Sequence, residues 1–134
     1  AWELVLVGDG SRGDFLRSEA QRLGVAGHVI FVGKVTHGAA LWRYYDEADA
    51  FLLTSRSEGT PKAVLEALAR GLPVVASAVA GVPNLLGQSE RGLLFPDNDV
   101  DALVTAVRRL RNDPALRERC AAAGYEFARS NTVD

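Results

Sequence analysis

A single cysteine, Cys120, leaves no partner for an internal disulfide and fits a reducing compartment such as the cytoplasm. Histidine is nearly as scarce. His28 and His37 flank one apolar run with neither a cysteine nor an acid at metal-ligand spacing, so surface or capping roles are expected of both. Fifteen Lys and Arg against 17 Asp and Glu give a net charge of −2, so nothing points to nucleic acid or an anionic membrane as a bulk electrostatic partner. No apolar run approaches the ~20 residues that a membrane-spanning helix needs. Methionine is absent, no signal peptide is in view, and Ala1-Trp2-Glu3 leads straight into an apolar run. The chain therefore reads as an excised piece of something longer.

What is present is ordinary for a globular protein: 134 residues, 48% apolar and 24% charged, read as one domain over 1–134 with enough chain to bury a core. Short continuous apolar runs predict strands at 3–7, 29–33, 49–53, 72–76 and 92–95. Continuous rather than alternating apolarity predicts strands covered on both faces, as in a parallel sheet. Helical patterns lie at 14–23, 39–47, 61–70, 100–111 and 114–129. Asp99 is placed to cap the fourth of these, and Asn112-Asp113-Pro114 reads as a break with Pro114 opening the fifth. Alternating strand and helix with short links predicts a Rossmann-like, doubly wound α/β sheet without repeats or low-complexity tracts.

The most informative stretch is Ser57-Glu58-Gly59-Thr60-Pro61-Lys62-Ala63-Val64-Leu65-Glu66-Ala67. It puts one carboxylate in a glycine-proline turn after the Ala50–Thr54 run and a second eight residues later, inside a helix. Pro61 is expected at the first helical position, where its missing N–H costs nothing. A helix start after a strand offers unpaired N–H groups and partial positive charge to a phosphate. Carboxylates on either side of such a site suit a diphosphate with hydroxyls at both ends, as in a nucleotide-sugar.

This arrangement resembles the E-x7-E motif of retaining glycosyltransferases of family 4 (group 1), in the C-terminal half of the GT-B fold. The resemblance covers nearly the whole chain. Val5-Leu6-Val7-Gly8-Asp9-Gly10 looks like the family's second strand, and Val29 to Val35 is similar to its third strand and nucleotide-base loop. Gly71 to Ser77, Gly81-Val82-Pro83 and Gly92 to Pro96 follow in the family's order. The family's first strand, with the arginine and lysine that neutralise the donor diphosphate, has no counterpart here. In the usual order 3-2-1-4-5-6 that strand is central. A rearranged sheet, or a homodimer through the vacant slot, is therefore expected.

The resemblance implies the donor-binding half of a hexosyltransferase acting with retention on a nucleoside diphosphate sugar and an acceptor hydroxyl. The acceptor domain would be an N-terminal GT-B domain, in cis or in trans, without which this chain would be inactive. It implies Glu58 at the reacting sugar, and backbone groups of Gly59, Thr60 and Pro61 near sugar and phosphate. Glu66 would take the ribose hydroxyls and backbone groups of Val35 the base edge. Apart from the resemblance, Lys62, the one cation of the first turn, is placed to take a phosphate oxygen in partial replacement of the absent arginine and lysine. No metal or cofactor is implied, and the location would be cytoplasmic, at the membrane face if the absent domain binds there.

Plainer readings stand beside these. Glu58 also serves as a first-turn acid complementing the helix dipole. Lys62, Glu66 and Arg70 also form an i, i+4, i+8 charge ladder worth about 0.2–0.5 kcal/mol per pair. Gly33-Lys34-Val35 also reads as a plain strand-ending turn, and Arg56 as a solvated loop residue near the phosphate space. Gly8-Asp9-Gly10-Ser11-Arg12-Gly13 spells G-x-G-x-x-G, but the acid that would bind a dinucleotide's ribose about 20 residues on is missing. Gly81-Val82-Pro83 reads as a tight turn followed by Asn84 where the family has glutamate. Trp42, Tyr44 and Tyr45 are expected to pack one side of a helix and Cys120 to be a small apolar contact. Arg108, Arg109, Arg111, Arg117 and Arg119 should lie on solvated helix faces. A non-catalytic nucleotide-binding or interaction module derived from the same fold is the alternative function.

Overall fold

The computed structural model describes residues 2–56 and 61–131. The sequence reads as one domain; within it, contacts mark out two compact units, Ala1–Trp42 and Arg43–Asp134.

The first unit holds β1 (Leu4–Val7), α1 (Gly13–Arg22), one 3-10 turn (Ala26–His28) and β2 (Val29–Gly33). The strands are parallel, with Leu4 opposite Val29 and Leu6 opposite Phe31, and the register slips after Leu6. Beyond the slip, the Gly8 N–H donates to the Gly33 carbonyl at 2.8 Å. The Arg17 guanidinium of α1 lies 4.9 Å above the Phe31 ring. The expectation of strands covered on both faces fails here: Leu4, Val5 and Val7 are each about 40% exposed and Ile30 is 44%. Two strands and one helix supply too few elements to cover two faces.

Helix α2 (Ala39–Glu47) crosses from one unit into the other. The second unit continues with β3 (Phe51–Leu53), α3 (Lys62–Ala69), β4 (Val74–Ser77), α4 (Val82–Leu85), β5 (Gly92–Phe95), α5 (Val100–Asn112) and α6 (Pro114–Asn131). Its sheet has the order β3-β4-β5, all parallel, with Phe51 opposite Val74 and Val74 opposite Gly92. Central β4 is buried along its whole length, so the two-faced burial predicted from its apolar run holds where enough helices are present. Val75, Leu93 and Phe95 pack with Ala106 and Leu110 of α5 and with Leu116 and Cys120 of α6. Cys120 is thus the expected core contact, and burial pushes its thiol pKa up. The strands β1 and β3, which a single re-closed sheet would have to pair, belong to different sheets.

The helix ends follow local chemistry. Asp99 caps α5, its carboxylate accepting from the Ala102 N–H at 2.9 Å, as its position predicts. Asp113 does the same for α6 through the Leu116 N–H at 3.0 Å. One arginine corrects the sequence reading. Arg117 is half-buried rather than solvated, and its Nη1 donates to the carbonyls of Leu110 and Arg111 at 3.0 and 2.5 Å. A cation there satisfies carbonyls that the end of α5 leaves open. Gly81-Val82-Pro83 also departs from expectation: it opens the short helix α4, with Gly81 as N-cap and Val82 fully buried.

Candidate functional site

Glu58, Gly59 and Thr60 lie outside the described residues, so the site is built from what surrounds them. The strand before them ends in the second unit at Leu53, and the backbone beyond it is tied down. Fully buried Ser77, last in β4, donates its hydroxyl to the Ser55 carbonyl at 2.5 Å. The next residue, Arg56, donates Nη2 to Asn98 Oδ1 at 3.0 Å. Thr54 and Arg56 then form one wall of a 190 Å³ cavity whose other side is Phe95, Asp97, Asn98 and Asp99. Residues 54–56 therefore lie at the carboxyl end of β3 beside that of β5, where open parallel sheets bind ligands.

The chain resumes at buried Pro61. Its φ of −78° and ψ of 75° make it the N-cap of α3, not the first helical residue expected from the sequence. Proline's ring sets φ alike in both positions, and only ψ separates them. The Pro61 carbonyl accepts from Val64 and Leu65 at 3.1 and 3.2 Å, and no side chain caps this end. Lys62 begins the helix and is exposed. Ala and Leu favour the helix, and Val64, Ala67 and Leu68 recur at helical spacing to bury one face completely. The other end is closed by Gly71 at φ +74°. Its N–H donates to Leu68 and the Leu72 N–H to Ala67, a Schellman closure that a side chain at this φ would strain.

Glu66 is half-buried on α3, with Oε2 sealed from solvent. Its neighbour across the helix pair is Tyr45 of α2. Desolvation, then the charge of Glu66 and a hydrogen bond with it, push the Tyr45 phenol up to about 12. Arg70, the last rung of the predicted ladder, forks onto Asp46 of α2 with Nε and Nη2 at 2.9 and 2.5 Å. That fork holds the Asp46 carboxyl below its ordinary range.

Pro61, Lys62 and Glu66 are thus brought together on the first two turns of one helix. Val35 belongs to the first unit, half-buried two residues past β2, where Gly33 takes φ +84° and turns the chain out of the strand. In the same unit, Gly8 to Gly13 join β1 to α1, and His37 meets Trp42 edge to face at 4.9 Å. Tyr45 is the participant that sequence reading took only for packing. The signal was available, because a tyrosine on a buried stripe needs a partner for its hydroxyl. Among the described residues no group of three or more His, Cys, Asp or Glu could hold a metal ion, and no helix is long and apolar enough to cross a membrane.

Residues 1–127 match the family described as glycosyl transferases group 1. The lipopolysaccharide core biosynthesis glycosyltransferase LpsD of Rhizobium meliloti is 34% identical over 127 residues, which cover 95% of this chain and 36% of LpsD. Among solved structures, the C-terminal domain of a group 1 glycosyl transferase (LpcC) from Francisella tularensis superposes with a TM-score of 0.85 at 24% identity, covering 97% of this chain and 69% of that one. HepE from Anabaena, in complex with UDP, gives 0.87 at 24% identity over 96% of this chain and 36% of its own. These two likenesses establish the fold, the α/β C-terminal half of GT-B with parallel strands. The chain spans about a third of the length of LpsD and of an uncharacterized Haemophilus influenzae glycosyltransferase that it also matches, and less of some others.

Proposed function

Because this chain belongs to the group 1 glycosyl transferases, we propose that it is the half that binds the donor nucleotide-sugar in a retaining member of that family. The observation that carries the reading is the start of α3. A helix N-terminus follows the carboxyl end of a parallel strand, with Lys62 in its first turn and Glu66 half-buried one turn later. The E-x7-E spacing adds Glu58, eight residues before Glu66 in the sequence.

On this reading the first-turn N–H groups and Lys62 take the diphosphate. They meet the negative charge that grows on the leaving group as the bond to the sugar breaks. A cation in a first turn opposes the helix dipole, and a bound phosphate removes that conflict. Glu66 accepts from the ribose hydroxyls, Glu58 contacts the reacting sugar, and backbone groups around Gly59 to Pro61 approach sugar and phosphate. Val35 offers its backbone to the base. Fixed dipoles and one cation make a metal unnecessary. The complex of HepE with UDP supports a nucleoside diphosphate as the ligand class. An N-terminal GT-B domain in cis or in trans would bring the acceptor, pairing through the edges of β1 and β3 would give a homodimer, and the reaction would take place in the cytoplasm.

Amide NMR of the full chain titrated with UDP, GDP, ADP and NAD tests this. Shifts clustering at Lys62 to Glu66 and at Val35 for one diphosphate are expected, and would name the base. Glu66→Ala should abolish those shifts while barely moving the melting temperature. A large drop in melting with affinity intact would leave Glu66 a structural residue. Shifts confined to Gly8 to Gly13 with NAD would sink the donor-site reading.

A further inference from the structure

Glu66 sits on a helix, and a glutamate there keeps three rotatable bonds. A ribose diol needs a carboxylate in one place. Helix α2 supplies what α3 lacks. The Tyr45 ring is stacked on Phe51 of β3, with centroids 5.7 Å apart and planes 27° from parallel, and the residue is only 8% exposed. Its hydroxyl is thereby delivered to α3 from a rigid base.

At the far end of that ring two acceptors compete for one proton. The Ala63 carbonyl stands at 3.4 Å, a long contact, three residues before Glu66. The Glu66 carboxylate is the other, and a charged acceptor takes a phenol proton more strongly than a helix carbonyl already in use. The neighbouring residue adds a second tether: Asp46 is forked by Arg70, one turn beyond Glu66. The last turn of α2 therefore grips α3 on both sides of the glutamate. A carboxylate offers about four lone-pair positions; with Oε2 sealed from solvent, those left for a diol are on Oε1.

We propose that Tyr45 is a positioning residue for the donor nucleotide, its hydroxyl holding the Glu66 carboxylate in the orientation that receives the ribose hydroxyls. The proposal rests on the reading of Glu66 as the ribose acceptor. Tyr45 touches no reacting atom; it acts through Glu66, and Phe51 acts through Tyr45.

Two measurements on the full chain test it. The first needs no nucleotide. In Glu66→Gln the Tyr45 phenol, followed by ring-carbon NMR, should titrate clearly lower than in the parent, because the charge beside it is gone. An unchanged titration overturns the proposal. The second compares UDP, GDP and ADP with their 2′,3′-dideoxy forms by calorimetry, in the parent and in Tyr45→Phe, which keeps the ring stack. The parent should prefer the ribose form by about tenfold or more, and Tyr45→Phe should cut that preference about fivefold, with dideoxy affinity and melting temperature unmoved. Equal loss for both sugar forms, or full preference retained, overturns the positioning role while leaving Glu66 at the ribose. A parent that binds both forms alike, or binds none of the three, removes Glu66 from the ribose and the proposal with it.

Discussion

A single methyl group added at Gly92 should cost the second unit on the order of 2 kcal/mol. Gly92 opens β5 opposite Val74, and its φ is not one that demands glycine. The reason for glycine is space. An ideal Cβ there would lie 2.6 Å from the Val74 carbonyl oxygen and 3.2 and 3.3 Å from the two methyls of Leu86. The nearest atom is backbone in the buried central strand, so no rotamer change can yield. β5 must move off the ladder, and fully buried Leu86 must give way by a few tenths of an ångström as well. Overpacking of this kind costs about 1–3 kcal/mol, and a clash with backbone belongs at the top of that range. Alanine's stiffer unfolded chain returns up to about 1 kcal/mol. The net, about 2 kcal/mol, is a fall in melting temperature on the order of 10 °C for a unit of this size. Scanning calorimetry of Gly92→Ala measures it, with Gly81→Ala as control. Gly81 is exposed, has φ −84° and meets nothing within 4 Å of an added Cβ, so its variant should stay within about 0.5 kcal/mol of the parent. If Gly92→Ala melts with the control, β4 and β5 are not packed in solution as closely as the 2.6 Å approach requires.

Gly124 poses the same question with a softer neighbour. Its added Cβ would stand 2.6 Å from Leu68 Cδ2, the end of a side chain that is itself fully buried. In an otherwise parental chain Gly124→Ala should destabilise less than Gly92→Ala, because about 1 kcal/mol of helix propensity offsets the crowding. In a Leu68→Ala background the same change should stabilise; strictly additive denaturation midpoints would refute the contact. Tyr45 sets an alkaline limit. Its phenol is held protonated in the fold up to about 12, against about 10 in the unfolded chain. That stability is fully present below pH ~10 and is lost as pH rises towards ~12, a decline on the order of 2 kcal/mol. Tyr45→Phe should therefore show a shallower loss of stability over that window, and parallel curves would mean that the phenol is not buried beside Glu66.

Local chemistry made much of this protein legible before any fold was known. The apolar runs at 29–33 and 92–95 became β2 and β5 with the same bounds, and the 39–47 pattern became α2. Asp99 and Pro114 stand where capping rules put them, because a helix end has only its nearest neighbours to satisfy its open N–H groups. The glycosyltransferase series was legible for the same reason. Each of its pieces is a strand end, a turn or a helix start, written in adjacent residues.

Other features depend on which elements meet. The apolar run of β1 looks no different from that of β4, yet β4 is buried throughout and Leu4, Val5 and Val7 are half open, because burial is set by what packs on a strand. Arg117 reads as one more surface cation until the end of α5 brings it two carbonyls. Tyr45 and Glu66 each carry a sufficient local explanation, one as packing and the other as a ladder rung. The sequence alone determined the alternation of strands and longer helices, the Asp99 cap and the carboxylate spacing, all of which follow from short-range backbone needs and hydrophobic period, whereas α4 and the cap at Pro61 did not. Tertiary structure alone decided that a tyrosine of α2 addresses the glutamate of α3, since that meeting is made by the packing of two helices between which β3 runs.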